Sequence, residues 1–377
     1  MKKFILLFFC SFLVGQTVFV NDNQVKKISM VSTSNVFAEY YDCGCPNNPL
    51  GGVARKAHFI NTMMKGKDPI IFDAGNMLFD SNEVNPDRLS IKNKKYKAEN
   101  LVKTMELLDH DVINVGSNDF KGGVDFLKNI ASRTTIKFIS ANLYDKNGKL
   151  LFTPYHIVSS KGLNVGIIGL SEATRNNSVV NKDFVSEGNK NIDKIVDSVD
   201  ILVLLIDVSD DNSIDLAKAF SRADYIFLSG VKYRSETKTA QEQDETLIYA
   251  GGIQGKHLSI VDLTLSDTKT PINDVSPLFH RMMYINERLD RYRSVDRSKT
   301  LKEIYANQPG MLELIGTFIE DGREVEKQMK EFMKTNFSLF SSIPMYKSMP
   351  EDEKIAAFVD KIAHGANFTF HEDGHQH

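Results

Sequence analysis

Six apolar residues in an unbroken row, Ile201 to Ile206, follow Asp200. A strand with no polar alternation belongs in a sheet covered on both faces. Pro69-Ile-Ile-Phe-Asp-Ala, which ends at Gly75, reads the same way. Further strands are expected at 26–33, 111–115, 136–141, 153–158, 164–170, 224–229, 246–250 and 257–265. Between them, apolar residues recur at helical spacing over 53–64, 96–108, 123–132, 189–197 and 212–221, and 81–93 reads as polar loop. Strands alternating with helices predict βαβ units, whose functional groups sit on loops at the carboxyl ends of strands.

The pattern changes after about residue 270. Val325, Met329, Phe332 and Met333 share one helical face, as do Ile355, Phe358, Val359 and Ile362, and Pro350-Glu-Asp-Glu is a helix start. A helical C-terminal region over 275–366 is therefore expected, after a main domain at 26–268 and before a histidine-containing tail at 367–377.

Lys2 and Lys3 precede an apolar stretch from Phe4 to Val14 that is too short to span a bilayer. Residues 1–22 therefore read as a signal peptide, which makes the protein exported, periplasmic or secreted. Cys10 lies inside the apolar stretch behind two phenylalanines, a poor context for lipid attachment. The mature chain is expected to have no membrane span. Its formal net charge of −3 gives no electrostatic reason for nucleic-acid binding.

Several strand-end loops, in order, resemble one family. Gly51-Gly-Val-Ala-Arg-Lys-Ala and Asp73-Ala-Gly-Asn resemble the "GG-x-A-R-x-A … D-A-G-D" run of 5′-nucleotidases and UDP-sugar hydrolases. Val115-Gly-Ser-Asn-Asp-Phe-Lys-Gly-Gly is similar to that family's "G-N-H-E-F-D-x-G". Ser140-Ala-Asn142, Pro154-Tyr, Val165 to Leu170 and Gly251-Gly-Ile-Gln-Gly-Lys-His complete the match over about 26–266. The resemblance implies a four-layered α/β/β/α metallophosphoesterase (calcineurin-like) core, here with a C-terminal helical appendage. The second, base-holding domain of full-length nucleotidases has no counterpart motifs here, so nucleotide specificity does not carry over.

That family's chemistry uses two metal ions that activate a water and neutralise phosphate oxygens. The resemblance aligns the "D-x-H" ligands with Asn35 and Phe37, the bridging Asp with Asn76, and the Asn-His pair with Ser117 and Asn118. It aligns a later histidine with Asp207 and the "G-H-x-H" run with Ser229 to Lys232. The nine histidines of the chain fall elsewhere. Amides bind a metal far more weakly than a bridging carboxylate with imidazoles. No cofactor is therefore expected, and divalent metal ions only if the chain is a divergent phosphoric ester hydrolase.

Asp42-Cys43-Gly44-Cys45-Pro46 follows the first strand, and Cys-Gly-Cys before the double glycine resembles an exported branch of nucleotidase-like proteins. The pair reads as a structural disulfide, a redox pair or a grip for a soft metal. A disulfide between Cys43 and Cys45 is expected, since they are the cysteines left after processing. His371, His375 and His377 in the tail could bind a transition metal, although such tails bind adventitiously. Arg55 reads as an ion-pair or loop-tethering residue, Asp73 as a structural acceptor, and Lys232 as solvated or filling a vacant charge site. The expectation is a pseudoenzyme of metallophosphoesterase fold that binds an unknown ligand or envelope protein. The alternatives are a thiol-disulfide protein and a divergent hydrolase.

Overall fold

A computed structural model describes residues 25–80, 91–174, 176–239, 245–268 and 270–365. The signal peptide with Cys10, most of the polar loop at 81–93 and the tail histidines lie outside the described residues.

The strands are β1 (Lys26–Thr33), β2 (Ile70–Asp73), β3 (Val112–Asn114), β4 (Lys137–Ile139), β5 (Leu143–Tyr144), β6 (Tyr155–Ser160) and β7 (Leu163–Ser171). They continue with β8 (Val180–Asn181), β9 (Ile201–Asp207), β10 (Tyr225–Ser229), β11 (Leu247–Ala250), β12 (His257–Leu265), β13 (Asn273–Asp274) and β14 (Phe337–Pro344). The helices are α1 (Val53–Met63), α2 (Ile91–Leu107), α3 (Val124–Ala131), α4 (Phe184–Ile195) and α5 (Leu216–Ala219). After β13 come α6 (Ser276–Arg293), α7 (Leu301–Ile304) and α8 (Pro309–Phe332), and α9 (Glu353–Gly365) is the last described element.

The strands form a seven-stranded sheet, ordered β13-β14-β12-β1-β2-β3-β4, a five-stranded sheet, ordered β11-β10-β9-β7-β6, and a small antiparallel pair, β5-β8. Strand β9 shows why the two larger sheets stack. Its Ile201, Val203 and Leu205 enter the core shared with Ile28, Met30, Ile70 and Phe72 of the larger sheet. Its Leu202, Leu204 and Ile206 enter a second core under Phe184, Ile192 and Leu216 of α4 and α5. The period-two pleat thus feeds two apolar layers at once. A third core lies between the larger sheet and α1, α2, α3 and α9, with Phe59, Leu101, Leu127 and Val359 in it. The result is the α/β/β/α sandwich. Aromatic contacts lock the sheets together: Phe72 meets Phe227 edge-on at 4.9 Å, and Tyr249 stacks on Phe340 at 4.1 Å.

Three expectations need correction. The region 275–366 is not wholly helical, because β14 pairs antiparallel with β12 from His257↔Pro344 to Thr264↔Phe337. Strand β12 would otherwise carry an open hydrogen-bonding edge, and Phe340 of β14 fills the inter-sheet core. The helix expected over 212–221 shrinks to α5, with Asp215 as its N-cap. Residues 209–212 are held instead by Glu172, which accepts from the Ser209 N–H at 2.7 Å and the Asn212 amide at 2.8 Å. Helix α4 starts earlier than expected, where Asp183 accepts from the Ser186 N–H at 2.7 Å.

Among the described residues, no helix is long and apolar enough to cross a membrane.

Candidate functional site

The loops after β1, β2, β3, β7, β9 and β10 converge at one edge of the sandwich. They surround a cavity of about 540 Å³ lined by Phe37, Asn76, Ser117, Asn118, Phe120, Lys121, Glu172, Asp207, Ser209, Asp210, Gly230, Lys232 and Ile253, among others.

Asp207, at the end of β9, lines the cavity and is buried. Its Oδ1 accepts from Asn76 Nδ2 at 2.6 Å and from Ser229 Oγ at 3.1 Å. Its Oδ2 accepts from the Ser117 N–H at 2.6 Å and from Ser171 Oγ at 3.3 Å. Asn76 Oδ1 accepts from the Asn118 N–H at 2.9 Å and from Ser117 Oγ at 3.4 Å. Asn35 Oδ1 accepts from the Gly230 N–H at 2.8 Å and Asn76 Nδ2 at 3.3 Å, while its Nδ2 donates to Val231 and Gly252 carbonyls at 2.8 and 3.0 Å. Every side-chain oxygen of this trio thus meets a protein donor.

Backbone geometry holds the trio in place. Asn35, Phe37 and Asn76 all have left-handed φ, at 49°, 54° and 61°. Asn tolerates that region; a bulky residue such as Phe37 seldom adopts it. The Phe37 N–H donates to the Asn76 carbonyl at 3.1 Å, which ties the first loop to the second. Only glycine fits at 116, since a Cβ there would lie 2.5 Å from the Asn76 nitrogen. At Gly230, with φ +82°, a Cβ would meet the Val208 carbonyl oxygen at 1.9 Å. Behind the floor, Asp119 gathers the N–H groups of Gly116, Asn76 and Leu78 at 2.9, 3.1 and 2.8 Å. Burial pushes Asp119 up to about 7 despite those bonds. Burial also raises Asp207, against its hydrogen bonds from Ser117, Asn76 and Ser229.

The structure therefore brings together Asn35, Phe37, Asn76, Ser117, Asn118 and Asp207. Ser171, Ser229 and Asp119 complete the cluster and were not singled out from the sequence. Asp119 occupies the acidic position of the Gly-Ser-Asn-Asp-Phe match, which was the available signal. Lys232 reaches the cavity rim but is largely solvated, 3.7 Å from Asp210. Asp73 accepts from Thr33 Oγ1 at 2.6 Å and the Gly75 N–H at 2.8 Å, and burial pushes it up to about 8. Lys56, also buried, is pushed down to about 8 by burial, against the pull of Asp73.

A second cluster sits after β1. Cys43 and Cys45 are free in this structure, with sulfurs 2.8 Å apart, so the expected disulfide is not present in it. Arg55 donates to the Gly51 carbonyl at 2.8 Å and pairs with Asp42 at 3.2 Å and Glu351 at 3.0 Å, tethering this loop to the chain before α9.

No family model matches the chain. A stretch of 75 residues is 35% identical to a 5′-nucleotidase of Vibrio cholerae, covering 20% of this chain and 14% of that protein. Among solved structures, the 5′-nucleotidase precursor of Thermus thermophilus superposes with a TM-score of 0.59 at 16% identity, over 90% of this chain and 59% of that one. The calcineurin-like phosphoesterase YfkN of Bacillus subtilis superposes with a TM-score of 0.57 at 16% identity, over 91% of this chain and 98% of that one. The fold is that of the 5′-nucleotidase-like metallophosphoesterases. The matched parts span 14% of the Vibrio protein and 59% of the Thermus one, so their activities do not transfer with the fold.

In a metallophosphoesterase of this type the strand-end oxygens and imidazoles must face cations. Here the residues do not fit that role. Asp207 is the carboxylate in the trio, and both its oxygens are taken by N–H and O–H donors. Asn76 turns its Nδ2 toward Asp207, placing a donor where a bridging ligand would offer lone pairs. Among the described residues, no group of three or more His, Cys, Asp or Glu side chains is arranged to hold a metal ion. His110 is buried in the turn before β3, His58 lies on α1, His156 on β6 and His257 at the start of β12.

Proposed function

We propose that this protein is an exported, metal-independent binding protein that has lost dinuclear phosphohydrolase activity and keeps the nucleotidase cleft for a small polar ligand. One observation carries the reading: the oxygens of Asn35, Asn76 and Asp207 are satisfied by protein donors. Cations entering there would have to break at least four such bonds without gaining an imidazole. Buried polar groups left unpaired cost about 1–3 kcal/mol each. The bonded trio is therefore a stable substitute for the metals, and it gives the cleft a rigid floor.

The cavity volume of about 540 Å³ falls in the range of small-molecule sites. Lys121, Lys232, Glu172 and Asp210 place both signs of charge on its lining, and Phe37 and Phe120 add apolar surface. A ligand carrying donors, acceptors and an apolar face suits that mixture. The charged, then apolar, N-terminal segment supports export.

The test is paired. Nucleotides and an aryl phosphate are incubated with the protein and excess manganese or zinc, and a small-metabolite panel is screened by thermal shift. Stabilisation by a ligand with no turnover supports the reading. Turnover abolished by a chelator overturns it in favour of a divergent hydrolase.

A further inference from the structure

The loop from Asp42 to Gly51 is closed without any covalent bond across it. Asp42 and Gly51 form a β-bridge, and Leu50 forms another with Tyr346. The Cys43 N–H donates to the Leu50 carbonyl at 2.9 Å, and the Gly51 N–H donates to the Met345 carbonyl at 2.9 Å. Asp42 accepts from the Gly44 N–H at 3.1 Å and from Arg55 at 3.2 Å. A structural staple has little left to do in a loop tied this way. Linking residues one apart closes a very small loop, so the entropy removed from the unfolded chain is also small.

The two sulfurs are nevertheless brought to 2.8 Å, with Gly44 at φ +65° turning the chain between them. Their surroundings differ. Cys43 is buried at 6% exposure, while Cys45 is partly open to solvent. No third His, Cys, Asp or Glu joins them in a metal-holding group among the described residues. Two sulfurs alone leave a zinc ion half-coordinated.

We infer that Cys43 and Cys45 form a reversible thiol–disulfide exchange site for low-molecular-weight thiols and disulfides, with Cys45 as the sulfur that meets the partner and Cys43 as the buried resolving sulfur. In the oxidising direction, the Cys45 thiolate attacks a small disulfide RSSR. A Cys45–SR bond forms and RS⁻ leaves. The Cys43 thiolate then attacks Cys45 Sγ, the Cys43–Cys45 bond forms, and a second RS⁻ leaves. Two electrons pass to RSSR, and the two thiol protons end on the released thiols or in water. In the reverse direction, a small thiolate attacks the partly exposed Cys45 and expels Cys43, and a second thiolate then attacks the Cys45–SR bond, releasing RSSR and the Cys45 thiolate.

The electrostatics suit Cys43 as the group expelled. Burial alone would raise its thiol. The hydrogen bond with Cys45, the N–H groups of Leu50 and Cys45, and the nearby Lys256 charge outweigh burial and hold it below the ordinary value. Cys45 is raised, first by its bond to Cys43 and then by burial. A leaving thiol of lower pKa leaves faster.

The test uses the full chain carrying Cys10→Ser, so that thiol chemistry reports on the pair alone. Oxidised glutathione is added, thiols are alkylated, and adducts are read by mass spectrometry before and after dithiothreitol. The expected result is that both thiols disappear together and both return on reduction. With Cys43→Ser, Cys45 should stop at a stable glutathione adduct; with Cys45→Ser, Cys43 should form one at least about tenfold more slowly, because it is buried. The unfolding temperatures of oxidised and reduced protein should agree within about 2 °C, since so short a link adds little. Adducts that never resolve into a cross-link would overturn the inference. So would a larger thermal gain on oxidation, which would mark a structural staple, or blockage of both thiols by stoichiometric zinc or copper(I), which would mark a metal grip. None of these outcomes depends on whether the cleft binds a ligand.

Discussion

Asn76 is the residue on which the cleft turns. It donates to Asp207 at 2.6 Å and accepts from the Asn118 N–H at 2.9 Å, so both ends of its amide are used. Asn76→Asp restores the family's residue type and replaces the donor with a second carboxylate against Asp207. Two such groups cannot both ionise at contact distance. The expected outcome is a loss of about 2–4 kcal/mol in urea unfolding at neutral pH. Added manganese or zinc should not restore it; a stoichiometric rescue would mean the site lacks only that one ligand. His110 makes a different prediction. Burial holds it down at about 3, helped by the Lys56 charge, so the unfolded chain binds a proton that the folded chain refuses. Its contribution is intact above the ordinary histidine value and is lost as pH falls from about 6.5 toward 3. The slope it imposes approaches about 1.4 kcal/mol per pH unit in that window. Buried Asp73 and Asp119 act oppositely, since their raised values make stability fall as pH rises from about 4 toward 8 and 7. Unfolding of wild type and His110→Leu across this pH range isolates the histidine: the variant should lack the acid-side slope, and parallel curves would contradict its assignment.

Among the elements, those that carry the cleft were readable because each couples a strong strand signal to a short loop. The runs at 26–33, 69–74, 111–115 and 200–206 end where Asn35, Asn76, Ser117 and Asp207 begin their turns. What the loops bond to was not readable. Ser171 and Ser229 reach Asp207 from 36 and 22 residues away, and no local pattern encodes such pairings. The role of Arg55 was readable as a tether, but not its second partner, Glu351, which comes from the chain before α9. Arg55 is buried and joins three segments, so Arg55→Met should cost about 2–4 kcal/mol by leaving the Asp42 carboxylate without its cation, held by the Gly44 N–H alone. It should also raise the rate of Cys45 alkylation, because the loop loses its clamp. Unchanged stability and unchanged alkylation would show that the bridges to Tyr346 and Met345 suffice.

For the molecule as a whole, the largest departure from the sequence reading is β14. Phe337-Ser-Leu-Phe-Ser-Ser-Ile-Pro follows a long amphipathic helix, and its short alternation was outweighed by the helical periods on either side. In the structure it seals β12 and stacks Phe340 on Tyr249 across the two sheets. The C-terminal region is therefore part of the sandwich, and truncation before residue 337 should yield no cooperative thermal transition. Phe340→Ala is the milder form, expected to cost about 3–5 kcal/mol. A folded truncated chain with native-like stability would contradict this view of the domain. The proposal that hydrogen bonds have taken the place of the two metals also belongs to the molecule as a whole. It is tested most directly by the metal content of the protein with His371, His375 and His377 replaced by alanine, dialysed with manganese and zinc and then freed of loose ions. Clearly substoichiometric metal is expected; two bound equivalents per chain would overturn the proposal.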